Sequence, residues 1–121
     1  MSFFPAIQTA YSSEYIPNKK YALIKPAVEY IHRSYTKGLI NITELSDMCG
    51  ITPEYFRKIF KAYYGASPLK YINTLKIAHA KELLASGMYS VTEAAFQSGY
   101  TDMSYFSRAF KKETGEAPRY Y

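Results

Sequence analysis

The chain carries the same pattern twice. Shifted by 50 positions, Tyr55, Phe56, Phe60, Lys61, Gly65, Pro68 and Tyr71 fall on Tyr105, Phe106, Phe110, Lys111, Gly115, Pro118 and Tyr121. Shifted by 49, Thr43, Glu44 and Gly50 fall on Thr92, Glu93 and Gly99. Composition alone does not produce self-similarity at a fixed offset, so one structural unit is built twice. The difference of one residue between the two offsets sits in the turn.

Each unit reads as a short capped helix, a glycine turn and a longer helix. A helix precedes the first unit, with Ile24, Ala27, Val28, Ile31 and Tyr35 on one apolar face and an end near Gly38. Asn41 followed by Glu44 gives a capping-box-like start, Leu45, Met48 and Cys49 form a buried side, and Gly50 breaks the helix. Thr52 as N-cap, Pro53 at the first helical position and Gly65 as stop bound the next helix. Ser67 and Pro68 start a long linker helix whose stripe holds Ile72, Lys76, Ile77, Ala80, Leu83 and Leu84. Ser90 with Glu93 caps a fifth helix that Gly99 ends, and Asp102 caps a sixth that stops at Gly115.

No segment alternates with period two for long enough to make a strand. The expected fold class is all-α, with about six to seven helices: helix-turn-helix units at about 41–65 and 90–115, each a homeodomain-like three-helix unit, joined by a linker helix at about 67–86. Residues 24–121 form this domain. Residues 1–23, with Pro5, Pro17 and no sustained period, read as a tail or the end of an interdomain linker, in which Phe3, Phe4 and Ile7 supply apolar groups for docking on the domain. As the end of a connection, this stretch leads to the expectation that the chain is a fragment of a longer protein.

Fifteen Lys and Arg against ten Asp and Glu give a formal charge of +5, and the pI near 9.2 favours acidic partners. The one cysteine, Cys49, excludes an internal disulfide and a Cys-rich metal site, and fits a reducing, cytoplasmic setting. His32 and His79 stand on different helices without acidic or cysteine clusters and read as packing or surface residues, so no metal is expected. No P-loop, GxSxG, HExxH or paired-carboxylate arrangement is present, so neither enzymatic activity nor a cofactor is expected. No run approaches the roughly 20 apolar residues of a membrane span, and neither a signal peptide nor a membrane partner is expected.

The second helix of each unit is two-faced. Phe56, Ile59, Phe60 and Tyr63 share a core side, leaving Glu54, Arg57, Lys58 and Lys61 on the other. Phe106, Ala109 and Phe110 turn inward, leaving Met103, Ser104, Ser107, Arg108, Lys111 and Lys112 outward. In a helix-turn-helix the first helix braces the second so that it can enter a DNA major groove. A linker of roughly 19 residues spans nearly 30 Å, close to the roughly 34 Å between successive major grooves on one side of B-DNA.

The segment "AKELLASGMYSVTEAAFQSGYTDMSYFSRAFKKETGEAPRYY" carries A-x-x-L-L, E-x-A-x-x-x-G-[FY], S-Y-F-x-R-x-F-K and G-x-x-P-x-x-Y patterns in order. Together with "ELSDMCGITPEYFRKIFKAYYGASPLKYI" it resembles the two-helix-turn-helix DNA-binding domain of AraC/XylS-type bacterial transcription regulators, over about Ile24 to Tyr121. The resemblance implies sequence-specific binding of double-stranded promoter DNA, with base contacts from Glu54, Arg57 and Lys58, then Met103, Ser104, Ser107 and Arg108. It also implies RNA polymerase as a partner and an effector-sensing or dimerising domain outside this chain. Lys76 and Ala94 depart from the arginine and the Ile or Val that the family commonly places there.

Chemistry assigns the roles. Arg57 and Arg108 can offer planar forks to guanine O6 and N7, Glu54 can accept from a cytosine amine, and Met103, Ser104 and Ser107 offer thymine-methyl contact and small hydrogen-bonding groups. Lys58 and Lys61 are also suited to phosphates, and Lys111 completes the second basic face. The helix starts at Asn41, Thr52, Ser90 and Asp102 present backbone N–H groups to phosphate as well. The competing reading is a helical protein-interaction module with only nonspecific affinity for DNA.

Overall fold

The computed structural model describes residues 18–121, so Phe3, Phe4 and Ile7 lie outside the described residues. Six α-helices follow one another: α1 (Asn18–Ser34), α2 (Ile42–Cys49), α3 (Pro53–Tyr64), α4 (Pro68–Ala85), α5 (Val91–Gln97) and α6 (Met103–Thr114). Short 3₁₀ turns occupy Tyr35–Lys37 and Pro118–Tyr120. Among the described residues there is no strand.

The starts are set by side chains that satisfy orphan backbone donors. Asn41 Oδ1 accepts from the Thr43 N–H at 2.7 Å, Thr52 Oγ1 from Tyr55 at 3.1 Å, Ser67 Oγ from Lys70 at 3.2 Å and Asp102 Oδ1 from Tyr105 at 3.1 Å. Ser90 and Glu93 form a complete capping box, each side chain accepting from the other's backbone N–H. Gly50, Gly65 and Gly115 end α2, α3 and α6 in the left-handed conformation.

Two cores form, one per unit. Ile24, Ala27, Val28 and Ile31 of α1 pack with Leu45, Phe56, Ile59, Phe60 and Ile72. Ile77, Ala80 and Leu84 of α4 pack with Ala94, Ala95, Tyr100, Phe106 and Phe110. The linker helix therefore belongs to both cores, with the change of allegiance between Ile72 and Ile77. Phe56, Phe60, Phe106 and Phe110 are fully buried, and each contributes about 1.5–3 kcal/mol by leaving water.

Four sequence expectations are corrected. Helix α1 begins at Asn18, inside the stretch 1–23 expected to be a tail, and has Pro26 in its interior. An interior proline costs about 3 kcal/mol. Ahead of it, the ring of Tyr21 stacks on Tyr63 at 4.3 Å and its hydroxyl lies 3.3 Å from that of Tyr64, which ties the early turns to α3. Helix α1 also stops at Ser34, so Tyr35 lies in a 3₁₀ turn, half-buried edge-on to His79.

Tyr63 has the azimuth of Phe56 and Phe60, yet it occupies the last turn of α3 and stays 44% exposed. Tyr64 is the aromatic that joins the core, 4.6 Å from Phe60 and 4.9 Å from Tyr71 between ring centres. On α2, Met48 is exposed and Ser46 is buried instead, its hydroxyl donating to Thr43 O at 2.9 Å.

The units meet at a polar joint. Lys76, nearly buried on α4, donates to Gly38 O at 2.9 Å and Gly99 O at 3.1 Å, and its ammonium lies 5.1 Å from the centre of the Tyr100 ring. Burial lowers its pKa from the ordinary value. A Cβ added to Gly99, whose φ is +94°, would lie 2.7 Å from Tyr35 O, so only glycine lets the two backbones approach this closely. Both histidines serve packing: His32 Nε2 lies 2.8 Å from Tyr71 Oη and His79 Nδ1 3.1 Å from Ser98 Oγ.

Candidate nucleic-acid interface

Helices α3 and α6 have the same length and the same cross-section. Around each axis, 100° per residue places the two buried phenylalanines on one side and four positions opposite. On α3 these are Glu54, Arg57, Lys58 and Lys61; on α6, at an offset of 50, they are Ser104, Ser107, Arg108 and Lys111. All eight are exposed, as is Lys112. The structure thus places eight of the nine sequence-predicted site residues on two open faces.

Met103 is the exception. It stands three residues before Phe106 and seven before Phe110, on their stripe, and is half-buried against the second core. Its position at the head of α6 made it look outward in the sequence; the period places it inward. Its side chain packs against the second core, leaving Ser104, Ser107, Arg108 and Lys111 as the open face.

The faces are electrically available. Among the described residues the ion pairs are Lys25–Glu29 and Lys70–Glu113, and neither uses a cation of α3 or α6. Arg57, Lys58 and Lys61 on one helix, and Arg108, Lys111 and Lys112 on the other, therefore keep their charge for an external anion. Short rigid helices with unpaired forks and ammonium groups suit base edges and phosphates.

Between α4 and α6 runs an open cleft of about 460 Å³, whose lining includes Lys70, Asn73, Tyr105, Arg108 and Lys112. Tyr55 and Tyr105, equivalent by the offset of 50, are 37% and 39% exposed. Neither tyrosine, nor Asn73, belongs to the outward sets expected from the sequence. The available signal was a polar residue on the first turns of an otherwise apolar stripe. Among the described residues there is no cluster of His, Cys, Asp or Glu able to hold a metal, and no helix is long and apolar enough to cross a membrane.

A helix-turn-helix domain family matches residues 45–121. The chain is 34% identical over 95 residues to the raffinose operon transcriptional regulatory protein RafR of Pediococcus pentosaceus, covering 78% of this chain and 34% of that protein. It thus spans about a third of the length of that curated relative. A probable AraC family transcriptional regulator from Rhodopseudomonas palustris CGA009 superposes with a TM-score of 0.69 at 28% identity, over 80% of this chain and 91% of that one. The DNA-binding domain of AdpA, solved in complex with a target DNA, shares the fold with a TM-score of 0.71 at 22% identity, over 79% and 88% of the two chains. The paired units, the linker helix and these matches agree: the chain belongs to the AraC-type family of double helix-turn-helix DNA-binding domains.

Proposed function

We propose that this domain binds promoter DNA in a sequence-specific way by seating α3 and α6 in successive major grooves on one side of the duplex. The observation that carries the reading is the equivalence of the two open faces. Four outward positions on each helix match at an offset of 50, all are exposed, and α4 with Lys76 holds both helices on one frame. Arg57 and Arg108 read guanine, Lys58, Lys61 and Lys111 neutralise phosphates, and Glu54, Ser104 and Ser107 refine the choice of base. AdpA, whose domain shares this fold, was solved with a target DNA.

The domain acts by binding rather than catalysis. In the whole regulator it brings an effector-sensing or dimerising domain to a promoter, a reading supported by the greater length of the relatives, and RNA polymerase is its further partner there. In vitro selection from a random duplex pool tests the binding claim. Two enriched blocks about one helical turn apart are expected. No enrichment, with affinity that vanishes at physiological salt, would return the domain to a basic protein-interaction module.

A further inference from the structure

The two units differ where they should be most alike. Upstream of the glycine turn the offset is 49, and the buried faces of α1 and α4 superimpose on it: Ala27, Val28 and Ile31 correspond to Lys76, Ile77 and Ala80. By the same offset Ile24 corresponds to Asn73, and Ile51 to Tyr100. Three apolar positions of the first unit are thus polar in the second, and the three are in contact. Lys76 lies over the Tyr100 ring, and the Tyr100 hydroxyl donates to Asn73 Oδ1 at 2.8 Å. Asn73 Nδ2 then donates to Tyr105 Oη at 2.9 Å.

The direction of this relay follows from burial. Tyr100 is 4% exposed, so its O–H needs a protein acceptor, and leaving it unmatched would carry the desolvation cost of a buried polar group. Only the carboxamide oxygen of Asn73 can accept from it, which obliges the amide nitrogen to point at Tyr105. Tyr105 therefore receives a hydrogen bond, and its own O–H remains unspent, on the exposed flank of α6 beside the cleft that Arg108 and Lys112 line. The relay runs from core to surface and ends in a donor.

We propose that Tyr105 Oη donates to a DNA phosphate oxygen bordering the groove that α6 reads, and that Asn73 is the positioning residue that aims it. The inference rests on the DNA-binding reading above. Tyr105 lies about 100° around the helix from the middle of the base-facing positions, which suits the rim of the groove rather than its floor. Arg108 one turn on and Lys112 two turns on make the rim attractive to an anion. The first unit lacks the device, because Ile24 carries no hydrogen-bonding group to hold Tyr55.

The test is a double-mutant cycle on the 121-residue chain, using a duplex enriched by wild-type selection and a random duplex of equal length. Tyr105→Phe removes the hydroxyl alone and is expected to weaken both duplexes by about tenfold, since a hydrogen bond to a charged group is lost and a phosphate carries no sequence information. Asn73→Ala is expected to weaken binding in the wild-type background and to add nothing further in the Tyr105→Phe background. Replacing single phosphates by neutral methylphosphonates should abolish the difference between wild type and Tyr105→Phe at one phosphate beside the α6 block.

Wild-type affinity in Tyr105→Phe would overturn the phosphate contact while leaving the DNA-binding reading intact. Additive losses would overturn the positioning role of Asn73, and circular-dichroism melts on every variant separate it from a loss of folding. A wild-type chain that binds neither duplex would overturn the inference together with the function on which it rests.

Discussion

The ammonium of Lys76 donates to the carbonyl oxygen of Gly99 at 3.1 Å, inside the protein, and so fastens the linker helix to the turn of the second unit. The same nitrogen holds Gly38 O, just ahead of α2. One buried cation thus ties both units to α4. Lys76→Met keeps the aliphatic stem and removes the desolvation cost of the charge, but leaves two carbonyls without their donor. The balance is expected to be a loss of about 1–3 kcal/mol in urea unfolding; an unchanged midpoint would show that the joint contributes nothing.

The glycine in that joint separates two kinds of cost. Gly50→Ala meets open space and carries only the left-handed backbone at φ +67°, an expected loss of about 1–2 kcal/mol. Gly99→Ala adds a Cβ 2.7 Å from Tyr35 O, and no flexible side chain is there to yield. Its loss should be about twice as large. Equal losses for the two variants would contradict the close backbone approach.

On DNA, cations with similar exposure should behave differently. Arg108→Ala is expected to cost about 1–3 kcal/mol on the selected site and to flatten preference at one or two base pairs, because a bidentate fork carries sequence information. Lys61→Ala should weaken all duplexes alike and lower the salt slope by about one. Binding titrations at several salt concentrations on selected and random duplex distinguish the two; equal losses on both duplexes for Arg108→Ala would remove its reading role.

Alkali should unfold the domain earlier than a protein with surface tyrosines. Burial pushes the hydroxyls of Tyr64 and Tyr100 above the ordinary phenol value of 10.0, with the Tyr21 hydroxyl adding to the effect at Tyr64 and Tyr105 and Glu113 at Tyr100. For acids raised in the folded state, the unfolded chain loses its protons first, so stability is intact below about pH 10 and falls as pH rises beyond it. Lys76 works the other way between its lowered value and 10.5, as one group against several. Thermal melts from pH 8 to 11 should decline above pH 10, and Tyr64→Phe should flatten the decline; a profile unaltered by that substitution would contradict it.

Much of this was legible because caps and periods are local. Asn41, Thr52, Ser67, Ser90 and Asp102 each cap the helix their sequence context marks, since an N-cap depends on a side chain and an N–H two or three residues away. The open faces of α3 and α6, Met103 apart, were legible by period alone. What was missed depends on partners remote in sequence. Tyr21, 43 residues before Tyr64, ties the early turns of α1 to the end of α3. Lys76 sat visibly on an apolar stripe, but its role needs Gly38 and Gly99, 38 and 23 residues away. Asn73 has meaning only between Tyr100 and Tyr105.

The central claim is that one chain reads two adjacent grooves from a single frame, and the direct measurement is affinity for the selected site with about 5 base pairs inserted between its two blocks. That insertion turns the second block to the far side of the duplex, since B-DNA repeats every 10–10.5 base pairs. Affinity is predicted to fall to that of a site with one block, and to recover partly when about 10 base pairs are inserted only if α4 yields. Full affinity with the half-turn insertion would contradict the account, because two helices fixed on α4 cannot follow grooves that face opposite ways.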